Sequence, residues 1–175
     1  GSEMCIRDRS DLDWRTSGGP LVFNSIYTSE HYDARLEQPG WSAPGFDDSA
    51  WDGVMYRGAP SQRVTAQQTV PIRNVTQYRP RSVRKLDERS YLYDFGQNMA
   101  GVTKLRLRGE AGTQLRLIHA ERLREDGHAD LSNIDVYFRP TDKDDLFQTD
   151  VVTLSGRDDE FMPRFNYKGF RYVEV

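Results

Sequence analysis

Two residues in the second half of the chain, His119 and Glu121, have side chains that could transfer protons or bind a metal. They lie two positions apart in an alternating segment, in phase with its leucines, so both are predicted to point into the protein. A buried imidazole and a buried carboxylate need partners, which could be each other, Arg122 or Arg171. A metal would require a third ligand, which the sequence does not place. We therefore predict a structural pair and keep a metal-binding or catalytic role as the alternative.

A second polar motif runs from Asp94 to Asn98 and contains the Asp-Phe-Gly tripeptide that binds magnesium in protein kinases. The kinase interpretation fails because no glycine-rich loop, no Val-Ala-Ile-Lys strand and no His-Arg-Asp loop accompany it. We predict a turn in which Gly96 adopts a positive φ and the Asp94 and Asn98 side chains bond nearby backbone amides. With Gln97, His119 and Glu121, these two side chains complete the predicted structural polar set.

Hydrolysis of a glycoside needs two facing carboxyl groups, one with a raised pKa and one ionised. Most carboxylates of this chain lie in polar turns beside other charges, where neither condition is met. The acidic runs Asp47-Asp48 and Asp142–Asp145 offer oxygen ligands of the kind that calcium takes, but they lack EF-hand spacing. The sequence contains no nucleophile elbow, phosphate-binding loop or His-Glu-x-x-His motif. It therefore predicts no catalytic residue, no metal and no cofactor.

Aromatic residues near turns are better candidates for function, because aromatic rings can stack on sugar faces while polar side chains bond the hydroxyls. The alternative is that such rings fill a core or pin a turn, which is our interpretation of Trp41 and Trp51 as the larger side chains. The predicted ligand-binding set is Tyr32, Asp33, Arg35, Trp41, Asn98 and Tyr137.

The composition excludes several classes of protein. The 175 residues suffice for one domain or slightly more, and the net charge of −3 provides no concentrated basic face for nucleic acid. No apolar run approaches the roughly 20 residues of a membrane-spanning helix. Cys5 is the only cysteine, so the sequence predicts no disulfide framework and leaves the compartment undecided.

The first half of the chain is rich in turn formers. Residues 1–10 lack periodicity and are interpreted as a non-native leader. Residues 11–58 are predicted to hold only short strands, at Pro20–Phe23, Ser25–Tyr27 and Val54–Arg57. Residues 59–90 are predicted to form a linker, with an edge strand at Val70–Thr76.

Residues 91–175 carry a stronger β pattern. Val102–Arg108 and Thr113–His119 alternate on either side of a glycine-containing turn, which predicts a hairpin. Further strands are predicted at Thr149–Leu154 and Phe165–Val175, whereas the polar stretch Glu121–Asp145 is predicted to be a long functional loop. The predicted apolar layer consists of Leu105, Leu107, Leu115, Leu117, Val152, Leu154 and Phe170.

Several motifs occur in the order found in bacterial α-L-rhamnosidases, and the chain resembles the accessory region of that family. The motifs are Ser25–Arg35, Pro39–Trp41, Gly45–Trp51, Tyr93–Gly101, Arg108–Thr113, His119–Glu121, Ser132–Tyr137, Thr149-Asp150 and Pro163–Val175. The resemblance implies the end of an N-terminal jelly-roll-like domain followed by most of a concanavalin-like β-sandwich. It also implies a parent enzyme that releases L-rhamnose with inversion, through carboxylates on a separate helical toroid. No catalytic residue or calcium site of the family maps onto this chain, which therefore reads as a fragment.

The predicted fold class is all-β: an antiparallel sandwich, preceded by a partial β domain and a linker. The resemblance implies a non-catalytic scaffold that also helps position substrate. Its expected partners are the catalytic toroid of the parent and rhamnose-containing glycans, with no nucleic acid and no membrane. The loop from Asp126 to Asp145 is the predicted contact with the toroid. The alternatives are a free-standing, lectin-like carbohydrate-binding module and a purely structural interaction domain.

Overall fold

The computed structural model describes residues 11–59, 61, 63, 65–140 and 145–175. Its contacts divide the chain into two units. The first takes in the described residues up to Gly19 and those within Gln38–Ile72, and the second consists of Pro20–Glu37 and Arg73–Val175. The predicted leader, residues 1–10, lies outside the described residues.

The secondary structure consists of strands and two 3₁₀ turns, at Ala34–Leu36 and Asp135–Tyr137. The strands are β1 Arg15–Thr16, β2 Leu21–Asn24, β3 Glu30–Asp33, β4 Asp52–Gly53, β5 Ser82–Lys85, β6 Tyr91–Gly101, β7 Leu105–Arg108, β8 Gln114–Ala120, β9 Arg122–Leu123, β10 Ala129–Asp130, β11 Thr149–Thr153, β12 Asp158–Phe161 and β13 Lys168–Glu174. The predicted all-β class is confirmed.

Tight turns dominate the first unit, in which β1 and β4 form an antiparallel pair. Gly40 and Gly45 have φ angles of 81° and 83°, a left-handed conformation that favours glycine. The Trp51 indole N–H donates to Gln38 Oε1 at 2.8 Å, and its ring lies 5.5 Å from that of Phe46. Trp51 therefore pins a turn, as predicted.

The short strands predicted in residues 11–58 are only partly correct. Pro20–Phe23 matches β2 to within one residue at each end. Ser25–Tyr27 instead lies in the turn between β2 and β3. Val54–Arg57 follows the end of β4 at Gly53 and forms no strand. Apolar residues in these segments stay exposed, so they lack the buried face that stabilises a strand.

A seven-stranded sheet with the order β2-β3-β11-β8-β13-β6-β5 forms most of the second unit. Neighbouring strands are antiparallel except for β3 and β11, which are parallel, with Val151 opposite His31. The large sheet is therefore mixed, with one parallel pair among otherwise antiparallel strands. The β2–β3 hairpin comes from a distant part of the sequence, so no tight turn dictates its direction relative to β11.

The hairpin predicted between Val102–Arg108 and Thr113–His119 does not form. β7 pairs with β12 in a separate two-stranded sheet, whereas β8 lies in the large sheet between β11 and β13. The segment between β7 and β8 is an arch that joins the small sheet to the large one. The Gly112 N–H in this arch donates to the Leu154 carbonyl. A side chain at Gly109 would come within 2.8 Å of Leu154 Cδ1, so glycine fits this close approach.

The core nevertheless forms from the predicted residues. Leu117, Val152, Leu154 and Phe170 are buried together, and Leu105, Leu107 and Leu115 pack against them from their less buried positions. The sequence missed Phe161 and Val173, which complete the buried cluster. The alternation of apolar and polar residues correctly predicted which side chains face inward, although the predicted hairpin paired the wrong strands.

Two further segments differ from the predictions. Val70–Thr76 is not a strand; the edge strand is β5, which is charged and pairs with β6. Pro71 removes a backbone donor in the former segment, which disfavours sheet pairing. Part of the predicted loop from Glu121 to Asp145 folds back as the β9–β10 hairpin, while residues 141–144 lie outside the described residues.

Candidate functional site: a buried polar cluster

The most deeply buried ion pair joins Lys168, at the start of β13, to Asp150 in β11. Lys168 Nζ lies 2.6 Å from Asp150 Oδ1, and the two side chains are only 3% and 0% exposed. Nζ also donates to Asn166 Oδ1 at 2.9 Å. Burial lowers the pKa of Lys168, while the negative charge of Asp150 opposes that shift. A charge pair this far from water is stabilised by close geometry and by additional hydrogen bonds.

Glu30 connects the early hairpin to this pair. Its backbone N–H donates to Asp150 Oδ1 at 2.9 Å. Its carboxylate accepts the backbone N–H groups of Arg164 at 2.9 Å and of Phe165 at 2.5 Å. Thus Glu30, a single residue of β3, bonds both the Asp150 carboxylate and the chain segment that leads into β13. The result is a fixed junction between residues 20–37 and the later strands.

A second buried carboxylate, Asp145, accepts a hydrogen bond from the Thr28 hydroxyl. Two buried atoms of the cluster, Asp150 Oδ2 and Asn166 Nδ2, have no hydrogen-bond partner among the described residues. Because the cluster is closed from solvent, we assign it a structural role rather than contact with a sugar.

His119 is buried between two hydrogen-bond partners. Its Nδ1 lies 3.1 Å from the Gln148 carbonyl, an acceptor, so Nδ1 carries the proton. The Thr103 hydroxyl then donates to Nε2, at 2.7 Å. Burial lowers the pKa of His119 to about 4. The ring is therefore neutral near pH 7.

Of the partners left open for His119 and Glu121, the pairing of these two residues with each other is not present. Glu121 instead accepts the amide N–H groups of Asn98 at 3.0 Å and of Asn133 at 3.5 Å. His119 and Glu121 are separated because β8 ends at Ala120, so the alternation of side chains along the strand does not continue to Glu121.

The buried neutral imidazole predicts a loss of stability in acid. The unfolded chain takes up a proton on His119 near pH 6.5, whereas the folded chain takes it up only near pH 4. Stability should therefore fall as pH drops from 6.5 towards 4, by about 2 kcal/mol between pH 7.5 and 5. Urea unfolding at both pH values measures the change, with His119→Gln as the non-titrating control. An equal pH dependence in both proteins would contradict the assignment.

The Asp94 motif has the positive φ predicted at Gly96, but it lies within β6, at an irregularity in the pairing with β13, rather than in a separate turn. Asn98 bonds the Glu121 side chain and not a backbone amide as predicted, and Asp94 also forms an ion pair. Gly96 has a φ of 78°, and its N–H donates to Asp94 Oδ1 at 2.6 Å. Arg171 holds the same carboxylate through two contacts of 2.9 Å. The Arg171 hydrogen bond is the main cause of the lowered pKa of Asp94. Gln97, the next residue in the motif, is exposed.

Among the predicted ligand-binding residues, Tyr32, Asp33 and Arg35 lie together, and Asn98 lies apart from them. Asp33 accepts two side-chain hydrogen bonds from Arg35, at 2.9 and 2.6 Å, and Tyr32 donates to the Glu37 carboxylate. Asn98 lies on β6, which three strands separate from β3 in the sheet.

The remaining two members are Trp41 and Tyr137. Trp41 belongs to the first unit and is 60% exposed. The backbone of Tyr137 ends a 3₁₀ turn, and its side chain lies outside the described residues. The described residues also contain no cluster of three or more potential metal ligands.

Sequence reasoning missed the buried cluster of Glu30, Asp150, Asn166 and Lys168, and it also missed the buried Asp145. One available signal was phase: Asp150 alternates with Val152 on β11, and Lys168 alternates with Phe170 on β13. A charged residue in phase with core residues is a candidate for a buried pair.

Comparison with known families assigns the chain. The family profile described as the bacterial alpha-L-rhamnosidase concanavalin-like domain matches residues 84–175. The chain belongs to this family. Residues 1–76 match the alpha-L-rhamnosidase N-terminal domain. The resemblance inferred from the motifs is therefore confirmed.

Relatives of this rhamnosidase region are much longer proteins. An alpha-L-rhamnosidase of Streptomyces avermitilis is 40% identical over 97% of this chain, and one from Alteromonas sp. is 34% identical over 93%. The solved structure of the Streptomyces enzyme, complexed with L-rhamnose, has a TM-score of 0.81 over 94% of this chain. The chain spans only 16–17% of these two curated relatives and 15% of that structure. The matching region is accessory and non-catalytic.

No helix among the described residues has the length and apolar character required to span a bilayer.

Proposed function

We propose that this chain is the accessory β-sandwich part of an enzyme that hydrolyses terminal α-L-rhamnosides. In this role it acts as a scaffold and helps to position the substrate. The observation that carries the proposal is the use of its buried charges: Glu30, Asp150 and Lys168 are occupied by internal partners that join strands. Charged side chains that are bound to internal partners support a rigid framework rather than proton transfer to a substrate.

The proposed partner is the helical catalytic toroid of the same polypeptide. The relatives are larger rhamnosidase chains, and this region makes up less than a fifth of each of the two compared.

The purified 175-residue chain should not hydrolyse 4-nitrophenyl α-L-rhamnoside. No catalytic pair is assigned to it, so release of nitrophenol should equal the uncatalysed background. The absorbance of nitrophenolate measures the rate, and a rhamnosidase from the family serves as the positive control. Turnover proportional to the concentration of the purified chain would contradict the proposal.

A free-standing carbohydrate-binding module is the second candidate function. The observation in its favour is Trp41, whose side chain is 60% exposed and free to stack on a sugar ring. Titration with L-rhamnose should quench tryptophan fluorescence under this alternative, and Trp41→Ala should abolish the change. The gene sequence separates the two candidates, because only the scaffold proposal requires a catalytic domain in the same polypeptide.

A further inference from the structure

Four large apolar side chains are exposed around the segment that the Glu30 junction holds. Ile26, Tyr27, Phe165 and Tyr167 are 65%, 85%, 58% and 57% exposed. Ile26, Tyr27 and Tyr167 line a shallow recess of about 290 Å³, together with Phe147 and other residues. We call Ile26, Tyr27, Phe165 and Tyr167 together the aromatic surface, since three of the four are aromatic. Grouped exposure of this kind marks a recognition surface in soluble proteins.

The backbone beneath this surface is unusually well fixed. Glu30 bonds the N–H groups of Arg164 and Phe165, while Asn166 and Lys168 bond each other inside the protein. Burial alternates through the segment, so Phe165 and Tyr167 point outward while Asn166 and Lys168 point inward. Buried charges thus hold two exposed aromatic side chains in a set position, which lowers the entropy lost on binding.

Apart from the Tyr27 and Tyr167 hydroxyls, the recess offers few polar side-chain groups to a sugar. The Lys168 ammonium is already bound to Asp150 and Asn166, and the Gln148 amide N–H donates to the Gly169 carbonyl at 3.4 Å. Sugar sites combine aromatic rings with several polar groups that bond hydroxyls. An apolar protein surface suits this lining better, since aromatic residues fixed in place are typical anchors of protein interfaces.

We propose that the aromatic surface is where this sandwich docks onto an apolar face of the catalytic domain of its own polypeptide. This inference rests on the proposed function. The length of the relatives supports the choice of occupant: the Streptomyces enzyme matches this chain over 15% of its solved chain, so most of it lies outside the matched region. The surface therefore braces the catalytic domain through Tyr27 and Tyr167.

The test uses this chain and the separately expressed remainder of its parent enzyme. Titration calorimetry should detect binding between the two parts, and Tyr27→Ser combined with Tyr167→Ser should weaken it at least tenfold. The matched control combines Tyr56→Ser with Tyr78→Ser, since these two tyrosines are also exposed but lie outside the recess. The control should bind within twofold of the wild type.

Each outcome decides a separate question. Equal binding by the Tyr27/Tyr167 variant and the wild type would overturn the docking surface while leaving the proposed function intact. Chemical-shift changes at Tyr27 and Tyr167 on addition of methyl α-L-rhamnoside, with no binding to the remainder, would replace it with a sugar site. A parent gene without a catalytic domain would refute the proposed function and the inference together.

Discussion

Replacement of Lys168 by methionine should lower the free energy of unfolding by about 3–5 kcal/mol. The variant leaves the Asp150 carboxylate buried without its cation, although its Oδ1 still accepts the Glu30 N–H. An uncompensated charge in the interior is destabilising because water no longer solvates it. Urea denaturation followed by circular dichroism measures the loss, and a chain already unfolded in buffer would also agree with the prediction.

Two matched variants separate the charge effect from a loss of packing. Lys168→Met combined with Asp150→Asn removes both charges while retaining an acceptor for Glu30, so it should recover at least half of the lost stability. Lys104→Met removes an exposed lysine that lies 2.8 Å from Glu160, and it should change stability by less than about 1 kcal/mol. A double variant no more stable than the single one would refute uncompensated charge as the cause.

The β class and the core could be predicted because alternation is a local property. Leu115 and Leu117 lie two positions apart on one strand, so they face one side whatever strand pairs with β8. Pairing itself is not local. The arch from β7 to β8 contains the same turn-forming residues as a hairpin, and contacts distant in sequence distinguish the two: β7 pairs with β12, and Gly109 and Gly112 contact Leu154.

The polar cluster was harder to predict because its members are distant in sequence. Glu30 and Phe165 are separated by 135 positions, yet they meet through a hydrogen bond across the sheet. Their contact depends on the parallel pairing of β3 with β11, which alternation does not encode. The positive φ of Gly96, by contrast, was predicted correctly because the Gly96 N–H bonds the Asp94 side chain two positions away, whereas the distant Arg171 partner of Asp94 was left open.

Replacement of Glu30 by alanine should have the second-largest effect, a loss of about 3 kcal/mol or more. The carboxylate accepts two backbone N–H groups in a part-buried setting, and each such bond to a charged group contributes about 1.5–3 kcal/mol. Hydrogen exchange should also accelerate at the amides of Arg164 and Phe165 under native conditions, because these lose their acceptor. Mass spectrometry of peptides that cover residues 162–168 reports this local release.

The graded variant Glu30→Gln keeps one carbonyl oxygen and should lie between the wild type and Glu30→Ala in stability. The exposed Glu110→Ala is the control for removing a carboxylate that holds no such junction, and it should stay within about 0.5 kcal/mol of the wild type. If the junction sets the position of Phe165 and Tyr167, Glu30→Gln should also weaken binding to the catalytic domain, though the aromatic side chains are unchanged. Unaltered binding, together with faster exchange at Phe165, would mean that the aromatic surface does not depend on the buried carboxylate.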